Sequence, residues 1–242
     1  LRKAGLLVCL QGPLRSPPFR QKFSVVLVGP NQIGEVFMQI GVVGSRQLPE
    51  QYQEKVNEVV QYLLGRGHIV AHGGALGADH YVLKALLAHS GVNRAVLFSA
   101  WQSQACFPKL VQPDVAQYLN LGGKVLWGGG ESGMPYPAVA AALLARNVRL
   151  VSQCHGLVAF VHGKSKGTLS TVAQAQKRKI PIILFPLSDH IDLPQQKGMR
   201  WYPTARSGLF AGALKAMYSS FHVCVPVPSH MSAPKREALI YA

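Results

Sequence analysis

Acidic side chains are what this sequence has least of: ten Asp and Glu stand against 25 Lys and Arg, a formal net charge of +15. Charged residues make up only 14% of the chain, so the excess reflects missing acids rather than dense bases. Such a balance favours polyanionic partners, among them nucleic acid, nucleotides and anionic surfaces. Long apolar runs are also absent. No run reaches the roughly 18 residues of a membrane span, although 48% of the residues are apolar. No membrane association is therefore expected, and the apolar content is assigned to small-residue helices and to parallel strands covered on both faces. Cysteine is scarce and scattered (Cys9, Cys106, Cys154 and Cys224). With no C-x-x-C pair, a zinc ribbon or disulfide framework is disfavoured and a reducing cytoplasm is the default. His72, His80, His155 and His162 lack a spaced carboxylate or thiol partner, so no metal site is expected.

What is present is an alternation of short apolar runs and helical patterns. The chain of 242 residues accommodates one sizeable domain with additional segments. The run from Met38 predicts a strand over 39–43 that opens into Gly44-Ser45-Arg46. Helical spacing of Val56, Val59, Val60, Leu63 and Leu64 predicts a helix from Pro49 to Leu64. A strand follows at 68–71, a helix at 79–89 and a strand at 95–98. The stretch 101–131 is turn-rich, with one strand at 124–127. A helix at 137–151, a strand at 156–161, a helix at 168–179 and a strand at 182–185 complete the pattern. Strands alternating with helices of this length predict an α/β fold: a Rossmann-like, doubly wound, mainly parallel sheet over residues 38–186. Residues 1–37 read as an N-terminal extension with three readings: a basic leader, an extra element with a strand at 23–28, or translated sequence upstream of a start at Met38. The third is preferred because Met38 opens the domain so directly. Residues 187–242 read as a C-terminal extension, irregular apart from a helix expected over 208–221.

Three Gly-rich turns each follow a strand and precede a helix, so they converge at the carboxyl edge where ligands bind in such sheets. In the first, Gly44 lets backbone approach an anion, while Ser45 and Arg46 offer a hydroxyl and a guanidinium. In the second, Gly73, Gly74 and Gly77 permit positive φ before a helix N-terminus, and Asp79 either caps that helix or takes a ribose hydroxyl. In the third, Lys164, Ser165, Lys166, Gly167 and Thr168 surround another helix start. Arg146 and Lys166 are expected at the rim of the site. Tight turns need glycine for structural reasons alone, but three polar or basic turns at one edge point to a bound phosphate. None of them is a P-loop, a dinucleotide fingerprint or a serine elbow. No catalytic residue is expected, and no cofactor other than a bound nucleotide.

Together these segments resemble the DNA-processing protein A (DprA/Smf) family, within the SLOG superfamily of Rossmann-like proteins. Ile40-Gly-Val-Val-Gly-Ser-Arg46 is similar to that family's first phosphate-binding turn, and Ile69 to Asp79 to its second Gly-rich loop. Arg146-Asn147 with Arg149 to Ser152 resembles its Asn-Arg helix. Gly167 to Thr171, Ala173 and the closing strand at 182–186 complete the likeness, which covers residues 38–186. The resemblance implies single-stranded DNA binding, dimerisation into a homodimer and loading of a RecA-type recombinase in the cytoplasm, without catalysis. Candidate platforms for stacked bases are Trp101, Trp127 and Trp201. The alternative is a stand-alone SLOG protein that senses or hydrolyses a small nucleotide. The hydrolytic, phosphoribohydrolase-like branch places a glutamate three residues after its Gly-Thr pair; here that position is Thr171, and a general acid/base role needs a carboxylate. Basic residues beyond the loops (Lys177, Arg178, Lys179 and Arg200) would mark a groove for a polymer rather than a pocket for a mononucleotide.

Overall fold

The computed structural model describes residues 37–218. The strand expected at 23–28, Cys9, Cys224 and the Lys235-Arg236 pair lie outside them. Apolar runs become strands and the helical patterns become helices in the predicted order. β1 (Gln39–Gly44), α1 (Gln53–Gly65), β2 (Ile69–His72) and α2 (Ala78–Ala88) come first. They are followed by β3 (Ala95–Phe98), α3 (Gln112–Asn120), β4 (Lys124–Leu126) and α4 (Tyr136–Gln153). The last elements are β5 (Gly156–Val161), α5 (Lys166–Lys177), β6 (Ile182–Pro186), β7 (Met199–Pro203) and β8 (Leu214–Tyr218).

The eight strands form one sheet in the order β4-β3-β2-β1-β5-β6-β8-β7. β1 to β6 pair in parallel, while β8 joins β6, and β7 joins β8, antiparallel. Strand order reverses between β1 and β5. Because βαβ crossovers are right-handed, that reversal sends the helices to opposite faces. α1, α2 and α3 bury Val56, Val60, Leu83, Leu86 and Val115 with Val42, Val70, Leu97 and Phe160. α4 and α5 bury Leu150, Val151 and Val172 with Val43, Ala71, Val96 and Ala159. Every residue of β5 is buried, as a central strand covered on both faces requires. The fold is therefore α/β, Rossmann-like and doubly wound.

Two regions depart from the sequence reading. The turn-rich stretch 101–131 contains α3, a nine-residue helix with Pro113 in its first turn. Only Val115 and Tyr118 are buried on it, too few apolar positions to set a period, although proline at a helix start is the ordinary signal. The C-terminal extension, expected to be irregular apart from a helix over 208–221, instead carries β7 and β8 within its described residues, with Gly208 and Gly212 at φ +83° and +75° ahead of β8. Leu209, Phe210, Leu214 and Met217 sit at helical spacing, but the open edge of β6 offers backbone partners, and Leu214 pairs with Leu184. Tertiary pairing overrides local periodicity here. No described helix is long and apolar enough to cross a membrane.

α4 is longer than the strands it packs against. Its lower half is clamped on the sheet. A Cβ on Gly41 would lie 2.9 Å from Leu150 Cδ2 and 3.1 Å from Cys154 Sγ, so glycine lets the helix lie directly against β1. Its 18 residues extend about 27 Å at the α-helical rise. A six-residue strand such as β1 covers only about 20 Å. The first turns of α4 therefore overhang the carboxyl edge. Leu150 is fully buried at the clamp, and Leu150→Ala should lower stability by about 2–5 kcal/mol in urea unfolding. A loss below about 1 kcal/mol would show that α4 is not anchored there.

Candidate functional site

Where the strand order reverses, the loops after β1 and β5 part and leave a cleft of about 770 Å³. Ligands bind at this position in open α/β sheets. One side is the loop Gly44 to Gln47; a second is His162 to Thr168, at the start of α5; the third is a stripe of α4. Among the described residues four cations border it, Arg46, Arg146, Lys164 and Lys166, against a single carboxylate, Asp79. Arg46, Lys164 and Lys166 are exposed and make no ion pair among the described residues. At the start of α5, Lys166 N donates to Lys164 O and Leu169 N to Ser165 O. The amides of Gly167 and Thr168 have no such partner among the described residues, so a helix N-terminus opens on the cleft with donors unspent.

The floor is a buried ion pair. Arg146 Nη1 donates to Asp79 Oδ2 at 3.1 Å, with both side chains almost fully buried. The guanidinium occupies the space a side chain at 73 would take: a Cβ on Gly73 would lie 1.0 Å from Arg146 Nη1. Arg146 thus sits beneath the cleft rather than at its rim. Asp79 is not the helix cap either. The cap position of α2 is Gly77 (φ 74°, ψ −127°), and no side chain caps it. Asp79 Oδ2 accepts the amide of Ala75 at 3.3 Å, which holds the second Gly-rich loop in place. Burial pushes the Asp79 carboxyl above the usual range, and the Arg146 guanidinium beside it opposes that shift.

Ser45 ties the first and third loops together. Its hydroxyl donates to His162 O at 3.0 Å and accepts the His162 amide at 2.8 Å. Its carbonyl accepts the amides of Leu48 and Ala78, both at 3.2 Å. Gly77 must remain glycine for the same reason, since its Cβ would meet Ser45 O at 2.3 Å. The sequence candidates therefore divide. Gly44, Ser45, Arg46, Asp79, Arg146, Lys164, Ser165, Lys166, Gly167 and Thr168 border the cleft. Gly73, Gly74 and Gly77 do not; they shape the loop that seats the ion pair. Ser165 Oγ donates to Thr168 Oγ1 at 2.8 Å, and Thr171 Oγ1 donates to Gly167 O at 2.9 Å, so these hydroxyls brace the α5 turn.

Sequence reasoning passed over the α4 wall, where Tyr136, Val139, Ala140, Leu143, Leu144 and Asn147 face the cleft. Its signal was available: apolar residues at helical spacing starting from an unusual Tyr-Pro helix opening. None of Trp101, Trp127 or Trp201 borders the cleft. Trp201 lies on β7 and donates to Pro194 O, and Trp127 meets the Phe107 ring edge-on. Lys177, Arg178 and Lys179 end α5 at the opposite edge of the sheet, roughly 16 Å from its start at the helical rise. They do not extend the cationic cleft.

Behind the floor, His72 is fully buried with neither ring nitrogen hydrogen-bonded among the described residues. Burial, with the Arg146 charge adding to it, lowers its pKa from 6.5 to about 3. The folded chain thus refuses a proton that the unfolded chain accepts below pH 6.5. Stability present above that pH is lost as pH falls toward 3, by about 1.4 kcal/mol per unit. Between pH 6.5 and about 4.5 the wild type should lose about 2–3 kcal/mol more than His72→Leu in urea unfolding; parallel profiles would contradict this. Gly73→Ala should displace Arg146 and cost about 3–5 kcal/mol, as breaking a buried pair does. A near-neutral result in the same assay would mean that the pair is not the floor.

The family model described as DNA recombination-mediator protein A matches residues 24–211, a stretch that contains β1 to β7 and all three sides of the cleft. No curated protein matches the sequence. Among solved structures, DNA processing protein A from Helicobacter pylori, described in a single-stranded DNA binding mode, superposes with a TM-score of 0.52 at 18% identity. That match covers 63% of this chain and 66% of the other. DNA processing protein A (DprA) from Streptococcus pneumoniae superposes with a TM-score of 0.50 at 23% identity, over 63% of this chain and 52% of that one. At these identities the two structures share the fold, and the chain spans about two-thirds and about half of their lengths. By the family model, matched over most of its length, the chain belongs to the DNA recombination-mediator protein A family.

Proposed function

We propose that the cleft binds single-stranded DNA by its phosphates, in a DNA-processing role in recombination. The observation that carries this is the convergence of Arg46, Lys164, Lys166 and the unspent α5 amides on one cleft whose single carboxylate is occupied by Arg146. Family membership and the single-stranded DNA bound by the Helicobacter pylori relative support the same reading. Dimerisation, transfer of the strand to a RecA-type recombinase and a cytoplasmic setting, which the resemblance implies, form part of the proposal.

A second reading is favoured by one observation: among the described residues, the cations at the far end of α5 do not continue those of the cleft. With Lys177 to Lys179 across the sheet, the site suits a mononucleotide or a strand gripped at very few phosphates. Hydrolysis of such a nucleotide finds little support. Thr171 is buried and donates to Gly167 O, and Asp79 is held by Arg146.

Affinity of single strands falls with salt by about 0.7 log units per log unit for each phosphate neutralised. Three cations at the cleft therefore predict a slope of about −2, falling to about −1.4 in Arg46→Ala, by fluorescence anisotropy with a labelled oligonucleotide. Absence of binding at low salt would sink the DNA reading and leave mononucleotides to be titrated. A much steeper slope would place the polymer on another surface.

A further inference from the structure

The cleft's loop sides and its α4 side are chemically opposite. Arg46, Lys164 and Lys166 stand on the two loop sides; Tyr136, Val139, Leu143 and Leu144 stand on the α4 side. Tyr136 is 81% exposed and Leu144 49%. A helix in an α/β protein normally turns its apolar stripe to the core. α4 does so only in its lower half, where Leu150 and Val151 are buried; above the sheet the stripe turns to the cleft. We infer that this wall is a nucleobase-stacking surface, with Tyr136 as its platform, so that the cleft holds one nucleotide unit by phosphate and base together.

The occupant follows from the partition of chemistry within one cavity. A nucleotide joins an anionic phosphate to a flat apolar base, and the cleft places cations and an apolar face around one space. Its volume of about 770 Å³ lies within the usual range of small-ligand sites, which are mostly apolar with a few placed polar groups. An aromatic face accepts any base, because every base has a π-face. The wall therefore supplies affinity without sequence preference. Asn147, at the inner end of the stripe, is the single α4 amide able to meet a base edge.

This inference rests on the phosphate-binding reading, and the experiment separates the two. Full-length protein is titrated with labelled oligothymidylate and with an abasic phosphodiester of the same length. The wild type should prefer the base-bearing strand by about tenfold, the scale of one base–aromatic stack. Tyr136→Ala should remove that preference while leaving the salt slope unchanged, and Tyr136→Phe should restore it. Arg46→Ala should weaken both ligands alike and flatten the slope. Equal binding of the two ligands by wild type would overturn the stacking wall and leave the phosphate site standing. Binding of neither would overturn both. If Tyr136→Ala instead changes the molar mass in light scattering with the base preference intact, the wall contacts a second copy of the chain and the inference fails. Tyr136 is so exposed that its substitution should leave unfolding unaltered.

Discussion

The cleft depends on one buried charge pair. Arg146 reaches down from α4, on one face of the sheet, to Asp79 at the start of α2, on the other, passing through the space where Gly73 has no side chain. Each charge would be costly to bury alone. The pair therefore couples two helices that otherwise share no layer, at the point where the strand order reverses. It also removes the cleft's one carboxylate from the competition. With Asp79 engaged below, the cations above are left to an incoming anion rather than neutralised from within.

Around that pair the glycines do two kinds of work. Gly44 brings the first loop against its neighbours: its Cβ would meet Ala78 Cβ at 2.5 Å and Phe160 O at 2.6 Å. Gly73 and Gly77 make room for the guanidinium and for the Ser45 carbonyl. Ser45 then locks the loop by bonding both backbone groups of His162. The result is a preformed rim whose hydroxyls are mostly spent on holding it. Anion binding falls to side-chain cations, whose ordering costs about 0.5–1.5 kcal/mol each, and to amides at the α5 N-terminus, which the helix already holds in place.

Much of this was legible in the sequence, and the failures share a cause. Continuous apolar runs such as 156–161 and their alternation with helices gave the sheet, its mainly parallel sense and the edge where Gly44 to Arg46 and Lys164 to Thr168 meet. Local patterns carry that information. What a side chain does three-dimensionally is not local. Nothing near Arg146 reveals that Gly73, far away in the chain, vacates a place for it. Nothing in Leu214 to Tyr218 reveals that β6 has an open edge. The α4 stripe misleads in the same way: an apolar period reads as core whether it meets a sheet or overhangs one, and only the lengths of helix and strand decide.

The overhang also explains why the site is two-faced. α4 begins beyond the sheet, so its first turns cannot be buried by strands, and charged residues there would have removed the apolar exposure. The sequence instead places Tyr136, Val139, Leu143 and Leu144 at that point, opposite three exposed cations. A purely phosphate-binding site gains nothing from such a wall, and a purely apolar docking groove gains nothing from the cations. Only an occupant with an anionic end and a flat apolar end draws on both. If Tyr136 stacks a base as proposed, the geometry that exposes α4 is also the geometry that selects nucleotide units over simple anions.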